Sequence, residues 1–286
     1  MAGPKFHVAI SPATLQVLLA MGSTQLGSAL AKSLFGQVGP VGMATLRVGF
    51  AALVLMVLWR PKIRGYSRQG YYTLVLFGLS LAAMNTFFYG AIARIPIGVG
   101  VALEFTGPLV VALFNSQRRL DFVWVLLAAI GIVLLAPFRG SLLDPVGVIL
   151  ALLAGACWGA YILLSAQTGR VFEGSQGLAL AMTVGAIALL PLGIITDGGM
   201  FGQPVLLAQG FGVALLASAL PYSLEMAALR HLPLSVFGVF LSLEPAIAAC
   251  LGFWLLGETL ALRMVIAIAM VMIAAAGIAL SQKPVG

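Results

Sequence analysis

Charged residues are scarce in this chain. Only 8% of its 286 residues are Asp, Glu, Lys or Arg, whereas 62% are hydrophobic, and its mean hydropathy is +1.12. A soluble domain of this length would need far more polar surface than that to cover its core. The scarcity of charge therefore excludes a soluble globular protein and indicates an integral membrane protein.

The alternation of apolar and polar residues that a lipid-facing β-strand requires is also missing. The apolar runs are continuous instead, which favours helices, because a helix satisfies its own backbone hydrogen bonds in lipid. About 20 residues are needed for one helix to cross the hydrocarbon core. The sequence therefore predicts an all-α polytopic fold with ten transmembrane helices. They are expected at 13–35, 41–59, 71–92, 97–115, 122–138, 146–166, 176–196, 206–229, 234–256 and 262–281.

Motifs of the common enzyme classes and cofactor sites do not occur. His7 and His231 are the only histidines and lie at predicted membrane edges, so an HExxH zinc site is absent. The chain has no GxxxxGK[ST] nucleotide loop, no GxSxG nucleophile elbow and no paired-aspartate motif for magnesium diphosphate. Cys157 and Cys250 fall inside predicted helices, so neither is expected to link outer loops. We expect no enzyme activity, no cofactor and no metal, and any uphill transport must use an ion gradient.

Basic residues exceed acidic ones, 15 against 8, and their positions indicate a membrane topology rather than a nucleic-acid partner. With the N-terminus inside, three lie outside (Arg94, Arg139 and Arg263) and two lie within helices (Lys32 and Arg47). Ten lie in cytoplasmic segments: Lys5, Arg60, Lys62, Arg64, Arg68, Arg118, Arg119, Arg170, Arg230 and Lys283. This positive-inside bias predicts that both termini are cytoplasmic.

The ten spans divide into two groups of five, at 1–139 and 140–286. An odd number of spans returns the chain on the opposite side, so a second similar group would be inserted upside down, as in many secondary transporters. A shift of 137 residues superposes Pro96 on Pro233, Val99 on Val236, Pro108 on Pro245, Ala112 on Ala249 and Asp121 on Glu258. The sequence thus predicts two inverted five-helix repeats.

The fourth predicted span carries a carboxylate at bilayer depth. Glu104 lies about seven residues, or roughly 10 Å, from the outer end of this span. Pro108 has no N–H, so it cannot donate the usual helical hydrogen bond to the backbone carbonyl of Glu104. Lys32 and Arg47 lie toward the same side in the first two spans. A carboxylate opposite a cation is what the two ends of a zwitterionic amino acid require. The alternatives are a kinked helix whose Glu104 has one structural partner, and cations that anchor at the outer headgroups.

Other polar residues inside predicted spans share helix faces. Gln25, Ser28 and Lys32 do so in the first span, Asn85 and Tyr89 in the third, Trp158, Tyr161 and Ser165 in the sixth, and Ser218, Tyr222 and Glu225 in the eighth. The candidate substrate- or proton-binding residues are Glu104, Lys32, Arg47, Gln25, Asn85, Tyr89, Trp158, Tyr161, Tyr222, Glu225 and Glu244. Pro108, Pro221 and Pro245 are the predicted helix-breaking prolines beside them.

Four stretches of this sequence resemble a known family. They are VALEFTGPLVVALFNSQRRLDFVWV (101–125), SALPYSLEMAALRHLP (218–233), LSLEPAIAA (241–249) and LGETL (256–260). They resemble the EamA branch of the drug/metabolite transporter superfamily, and the likeness extends over most of the chain. The EP and GE pairs are common to the broad family. The strings EFTGP and LPYSLEM are more specific, and they resemble the sequences of bacterial inner-membrane exporters of threonine and homoserine.

The resemblance implies two inverted repeats around a central cavity, and proton-driven efflux of small neutral amino acids. It implies that the first, third, fourth, sixth, eighth and ninth spans line the cavity. Asp121 stands where the second half has its GE pair, and we assign it no transport role. Export of another metabolite or a drug, such as an aromatic amino acid or a purine, is an alternative. So is a scramblase or a sensor, and a homodimer is left open.

Overall fold

The structure, a computed structural model, describes residues 12–114, 121–135, 143–173, 175–228, 231–232 and 234–281. Every regular element within these ranges is helical. The α-helices are α1 (Pro12–Ser33), α2 (Pro40–Trp59), α3 (Arg68–Ile92), α4 (Ile97–Glu104), α5 (Thr106–Phe114), α6 (Asp121–Leu135), α7 (Pro145–Thr168), α8 (Gln176–Asp197), α9 (Pro204–Ala214), α10 (Leu220–Ala228), α11 (Leu234–Leu241), α12 (Glu244–Leu256) and α13 (Leu262–Ser281). A 3₁₀-helix (Gly198–Gly202) follows α8, and a π-helical segment (Leu215–Ala219) joins α9 to α10.

Several predicted features lie outside the described residues. These are the boundary between 139 and 140, His7, Pro233, the cytoplasmic cations Lys5, Arg118, Arg119, Arg230 and Lys283, and the outer Arg139.

Most of these helices have the length and composition of membrane spans. Seven segments are long and apolar enough to cross a bilayer, and two shorter apolar helices cover Ile97–Val111 and Phe122–Leu135. Helix α1 has the length, at 22 residues. It is not among the seven, because polar residues such as Gln25 lower its mean hydropathy. The described part of the chain is therefore an all-helical membrane protein.

Three segments predicted as single helices are interrupted, each near a proline. The predicted span 97–115 divides into α4 and α5 at Phe105, three residues before Pro108. The span 234–256 divides into α11 and α12 just before Pro245, and the span 206–229 contains the π-helical segment just before Pro221. Proline cannot donate to the carbonyl four residues back, and its ring crowds that carbonyl, so the preceding turn changes its geometry.

Small residues let the helices that carry the site approach closely. A Cβ atom built on Gly107 would clash with the backbone of Gly155, and one on Gly155 would lie 2.7 Å from the carbonyl oxygen of Glu104. The α4–α5 break is therefore packed directly on α7. In the same way, a Cβ on Gly27 of α1 would lie 2.7 Å from the backbone nitrogen of Ala217. Glycine at these positions removes the side chain that would hold the backbones apart.

Acidic residues hold two helix N-termini at the same end of the bundle. Asp197, at the end of α8, accepts hydrogen bonds from Gly39 N–H at 2.9 Å and Gly42 N–H at 3.1 Å, and so caps α2. Asp144 accepts from Val146 N–H at 2.8 Å at the start of α7 and pairs with Arg94 at 3.0 Å. The hydrogen bond from Arg94, with that from Val146, lowers the pKa of the Asp144 carboxyl below its ordinary value.

Candidate functional site

A cavity of about 590 Å³ lies between the helices. That volume falls in the range of small-molecule sites. Its polar lining comes from α1, α2, α3, α4, α7, α10 and α12, whereas α5, α11 and α13 add apolar wall. The polar and aromatic side chains that line it are Thr24, Gln25, Ser28, Arg47, Asn85, Phe88, Glu104, Phe105, Trp158, Tyr161, Ser165, Tyr222, Glu225, Phe237 and Glu244.

Most residues singled out from the sequence meet in this cavity. Gln25, Arg47, Asn85, Glu104, Trp158, Tyr161, Tyr222, Glu225 and Glu244 line it, as does Pro108. Tyr89 does not line the cavity but bonds to Arg47 at 3.3 Å. Lys32, Pro221 and Pro245 lie outside the lining. Helices α2 and α13, which the family resemblance does not include among the lining spans, contribute Arg47 and Ala275.

The position of Arg47 follows from a backbone defect in the neighbouring helix. Pro221 has no N–H, so the carbonyl of Ala217, four residues earlier, lacks its usual helical donor. Arg47 Nη2 donates to that carbonyl at 2.8 Å, and its Nε donates to the Ser218 hydroxyl at 3.0 Å. The third bond runs from Nη1 to the hydroxyl of Tyr89. The proline and the π-helical turn before it thus create the cradle that holds Arg47, a use to which π-turns are often put at functional sites.

The Arg47 guanidinium keeps donors for a ligand. A guanidinium has five N–H groups, and the three bonds to Ala217, Ser218 and Tyr89 use one on each nitrogen. One N–H on each Nη is left, and among the described residues no carboxylate pairs with this group. The side chain is 6% exposed and borders the cavity. Two neighbouring N–H groups of this kind suit a carboxylate, which they bind in a two-pronged contact.

Three carboxyl groups share the cavity with this single guanidinium. Glu104, Glu225 and Glu244 all line it, and none of them hydrogen-bonds to another described side chain or backbone group. Glu104 and Glu244 are 9% and 7% exposed. They also lie at corresponding breaks, Glu104 at the end of α4 and Glu244 at the start of α12. Buried carboxyls without a protein partner are costly to keep, which points to a ligand or a proton as their partner.

Aromatic rings form one wall of the cavity. Trp158 packs edge-on against Phe105, with ring centroids 5.0 Å apart at 86°, and so contacts the residue at which α4 and α5 separate. One turn further along α7, Tyr161 packs against Phe77 at 5.1 Å. These contacts hold the Trp158 and Tyr161 rings of α7 along the cavity.

At one end of the bundle an ion pair joins three parts of the chain. Lys32 Nζ lies 2.6 Å from Glu258 Oε1 and also donates to the carbonyl of Ile95 at 2.8 Å. Glu258 Oε2 accepts from the Ile97 N–H at 2.9 Å, at the start of α4. We call Lys32, Glu258 and the Ile95–Ile97 backbone the end clasp. It joins α1, the α3–α4 connection and the α12–α13 connection.

The cavity extends toward the opposite end of the bundle. Its lining includes Ser165 near the end of α7, Phe237 near the start of α11 and Ala279 near the end of α13. These helix ends lie away from the end clasp, because α7 and α13 begin on the clasp side. The cavity lining therefore comes closest to the helix ends that lie away from the end clasp.

Sequence reasoning did not identify the partners in these arrangements. Lys32 was expected in the substrate site or at the headgroups. Its partner is Glu258, which the sequence singled out only in the repeat superposition and in a family motif. Nothing local indicates a pair 226 residues apart. The Ala217 carbonyl did have a local signal, because Pro221 leaves it without a helical donor.

Comparisons with known proteins identify the family. The EamA-like transporter family matches residues 145–280. The threonine/homoserine exporter RhtA of Salmonella typhimurium (strain LT2) is 42% identical over 271 residues, which cover 94% of this chain and 92% of that protein. RhtA of Escherichia coli (strain K12) is 42% identical over 269 residues, covering 93% and 91%. The uncharacterized transporter YwfM of Bacillus subtilis (strain 168) is 27% identical over 241 residues, covering 81% of each chain.

A solved crystal structure agrees at the level of the fold. It superposes with a TM-score of 0.63 at 19% identity, covering 93% of this chain and 96% of the other, a likeness that concerns the fold alone. The resemblance noted in the sequence is confirmed by the identity to the RhtA proteins over more than nine-tenths of this chain. The cavity and the apolar helices agree with these relatives. The chain belongs to the EamA-like transporter family.

Proposed function

We propose that this protein exports small neutral amino acids, with threonine and homoserine first, across a bacterial inner membrane. The observation that carries the proposal is the meeting of Arg47 and Glu104 in one cavity, in a chain 42% identical to proteins named threonine/homoserine exporters. The two free N–H groups of Arg47 receive the substrate carboxylate. Glu104 receives the ammonium group, and the aromatic wall excludes bulkier side chains.

A charge count within the cavity supports proton coupling. The described carboxyl and cationic groups that line it are three glutamates and one arginine, so their ionised forms leave an excess of negative charge. A zwitterionic amino acid brings no net charge and leaves that excess unchanged. Protons taken up by the glutamates would relieve the repulsion between like charges. We infer that one or more of Glu104, Glu225 and Glu244 carries the coupling proton.

The proposed membrane arrangement has ten spans as two inverted repeats, 1–139 and 140–286, with both termini cytoplasmic. It is supported by the matched interruptions: α4 (Ile97–Glu104) and α11 (Leu234–Leu241) are both eight residues long and are offset by 137 residues. The family match to 145–280 covers most of the second repeat. In this orientation the end clasp faces the periplasm and the cavity reaches the cytoplasmic side.

Export then requires the two ends of the cavity to open in turn, as in other transporters built from inverted repeats. The arrangement described above is ready to load substrate from the cytoplasm. Release requires that the bonds among Lys32, Glu258 and the Ile95–Ile97 backbone break. Because these bonds join both proposed repeats, their loss removes one of the links that hold the repeats together at this end.

The proposal is tested in proteoliposomes with labelled threonine, homoserine and phenylalanine under an imposed proton gradient. We expect transport of threonine and homoserine by the wild type. Glu104→Gln keeps size and hydrogen bonding but removes titration, so it should abolish gradient-driven transport. Glu173→Gln is the control, because Glu173 is exposed and outside the cavity.

Two results would count against the proposal. Unchanged transport and an unchanged pH profile in well-folded Glu104→Gln would remove Glu104 from the site. Transport of phenylalanine or cationic drugs alone would refute the proposed cargo and leave the family membership intact.

A further inference from the structure

Gln25 carries a carboxamide that the protein leaves unbonded inside the cavity. The residue is 3% exposed and lines the cavity, and its Oε1 atom is buried without a hydrogen-bond partner among the described residues. Its Nε2 atom donates to no described residue either. A buried amide without partners destabilises the fold, because its hydration is lost and nothing replaces it. A ligand that bonds to the amide would remove this cost.

The carboxamide lies at the depth of the arginine cradle. Gly27, two residues along α1, packs on Ala217, whose carbonyl accepts from Arg47. Gln25 therefore lies at the depth at which we expect the substrate carboxylate. It also lies on the cavity face of α1, which it shares with Ser28. An amino acid bound through its carboxylate at Arg47 brings its own side chain to this level.

We propose that the Gln25 carboxamide recognises the side-chain hydroxyl of the exported amino acid and thereby selects hydroxylated substrates. The inference rests on the proposed function, since threonine and homoserine both carry an aliphatic hydroxyl. A hydroxyl both donates and accepts, and a carboxamide offers both functions in either of its two flipped orientations. The match therefore does not depend on which amide atom faces the ligand.

Gln25 supplies a discrimination that the charged groups lack. The carboxylate and ammonium that Arg47 and Glu104 bind are common to all amino acids, so those contacts do not distinguish threonine from an amino acid without the hydroxyl. A site built to hydrogen-bond a hydroxyl rejects the analogue that lacks it, because the buried polar group of the site then stays unpaired. The flexible glutamine side chain reaches a hydroxyl on either the β or the γ carbon, which accounts for the pair of substrates.

The test compares threonine and homoserine with 2-aminobutyrate, the amino acid obtained when the hydroxyl of either one is replaced by hydrogen. Initial rates in proteoliposomes give kcat/KM for each. We expect the wild type to prefer the two hydroxylated substrates by about tenfold or more. Gln25→Met keeps the length of the side chain without its hydrogen bonds, so the preference should fall about tenfold. Transport of 2-aminobutyrate should stay within about twofold of wild type.

Ser23→Ala is the matched control on the same helix. Its hydroxyl donates to the carbonyl of Leu216 at 2.6 Å and does not line the cavity, so its loss should leave the preference unchanged. An equal fall for all three compounds in Gln25→Met would overturn the hydroxyl role. If that variant does not fold, the wild type decides: equal kcat/KM for threonine and 2-aminobutyrate overturns the role and leaves the proposed function standing. Transport of none of the three compounds would overturn the proposed function itself.

Discussion

At the residue scale, Arg47 depends on a proline in another helix. Pro221 frees the Ala217 carbonyl, and that carbonyl with Ser218 and Tyr89 holds the guanidinium in place. A charged side chain at this depth is expensive unless such partners exist. The bonds leave two N–H groups unused on a side chain that lines the cavity. One residue therefore serves both the packing of α2 on the π-helical segment and the proposed binding of a carboxylate.

Arg47→Lys should separate these two roles. Lysine keeps the charge but has a single ammonium with three donors, so it cannot satisfy Ser218, Ala217 and Tyr89 and also hold a carboxylate from two sides. We expect the threonine KM to rise about tenfold or more. We expect the thermal unfolding midpoint to change only slightly. Arg94→Lys is the control, because Arg94 belongs to the exposed ion pair with Asp144 and does not line the cavity. A loss of stability with an unchanged KM would make Arg47 a structural residue only.

Asp197 is expected to matter for stability and not for transport. Its carboxylate caps α2 through the N–H groups of Gly39 and Gly42. Asp197→Ala leaves both donors without a partner and should lower the free energy of unfolding by about 1–2 kcal/mol. Asp197→Asn keeps one acceptor and should lose less. The measurement is denaturant titration in mixed micelles, and wild-type stability in Asp197→Ala would show that the cap contributes nothing.

At the element scale, the contact of α7 with the α4–α5 break depends on the absence of a side chain. A Cβ atom on Gly155 would lie 2.7 Å from the carbonyl oxygen of Glu104 and 2.8 Å from Thr106 Oγ1. Gly155→Ala should therefore push the helices apart, lower the unfolding midpoint and impair transport. Gly22→Ala is the control, because no heavy atom lies within 4 Å of its added Cβ. Alanine there should be neutral or stabilising, since glycine costs about 0.5–1 kcal/mol inside a helix. Equal midpoints for the two variants would contradict this packing.

The end clasp is the element-scale feature that the proposed transport cycle has to break. Glu258→Gln removes the charge opposite Lys32 and weakens the acceptor of Ile97 N–H. The clasped end should then open more often, exposing the closed side of the cavity. Labelling of Ser28→Cys by an impermeant maleimide from that side measures this, in a background without Cys157 and Cys250. We expect a several-fold faster rate.

The exposed pair between Arg94 and Asp144 provides the control for this experiment. It lies at the same end of the bundle but does not join α1 to the α12–α13 connection. Arg94→Gln should leave the labelling of Ser28→Cys unchanged. Equal labelling in Glu258→Gln and in the parent protein would mean that the clasp does not hold the end closed.

At the scale of the whole molecule, the orientation in the membrane decides which side loads substrate. The ten-to-three excess of Lys and Arg predicts cytoplasmic termini. A reporter that is active only in the periplasm should give no signal when fused after Gly286. The same reporter inserted after Gly202, between α8 and α9, should be active, because that connection lies on the side of the end clasp. A reversed pattern would invert the orientation and the proposed direction of loading.

The sequence by itself determined the class of the molecule and the sites of its local defects. Continuous apolar runs specify membrane helices, and the prolines at 108, 221 and 245 mark the three interrupted segments, because helix formation and its interruption depend on neighbours along the chain. The family was also evident in short strings such as EFTGP. The residues at which these three segments are interrupted were not evident, since the sequence predicted each segment as one continuous helix.

Only the tertiary structure decided which polar groups meet. Arg47 bonds to residues 170 and 171 positions away, and Lys32 pairs with Glu258 at a separation of 226. Two side chains at the same depth have no preference for each other until the lateral packing of the helices places them in contact. That packing depends on close approaches such as Gly27 on Ala217, which join distant parts of the chain. The shared cavity of Glu104, Glu225 and Glu244 arises for the same reason.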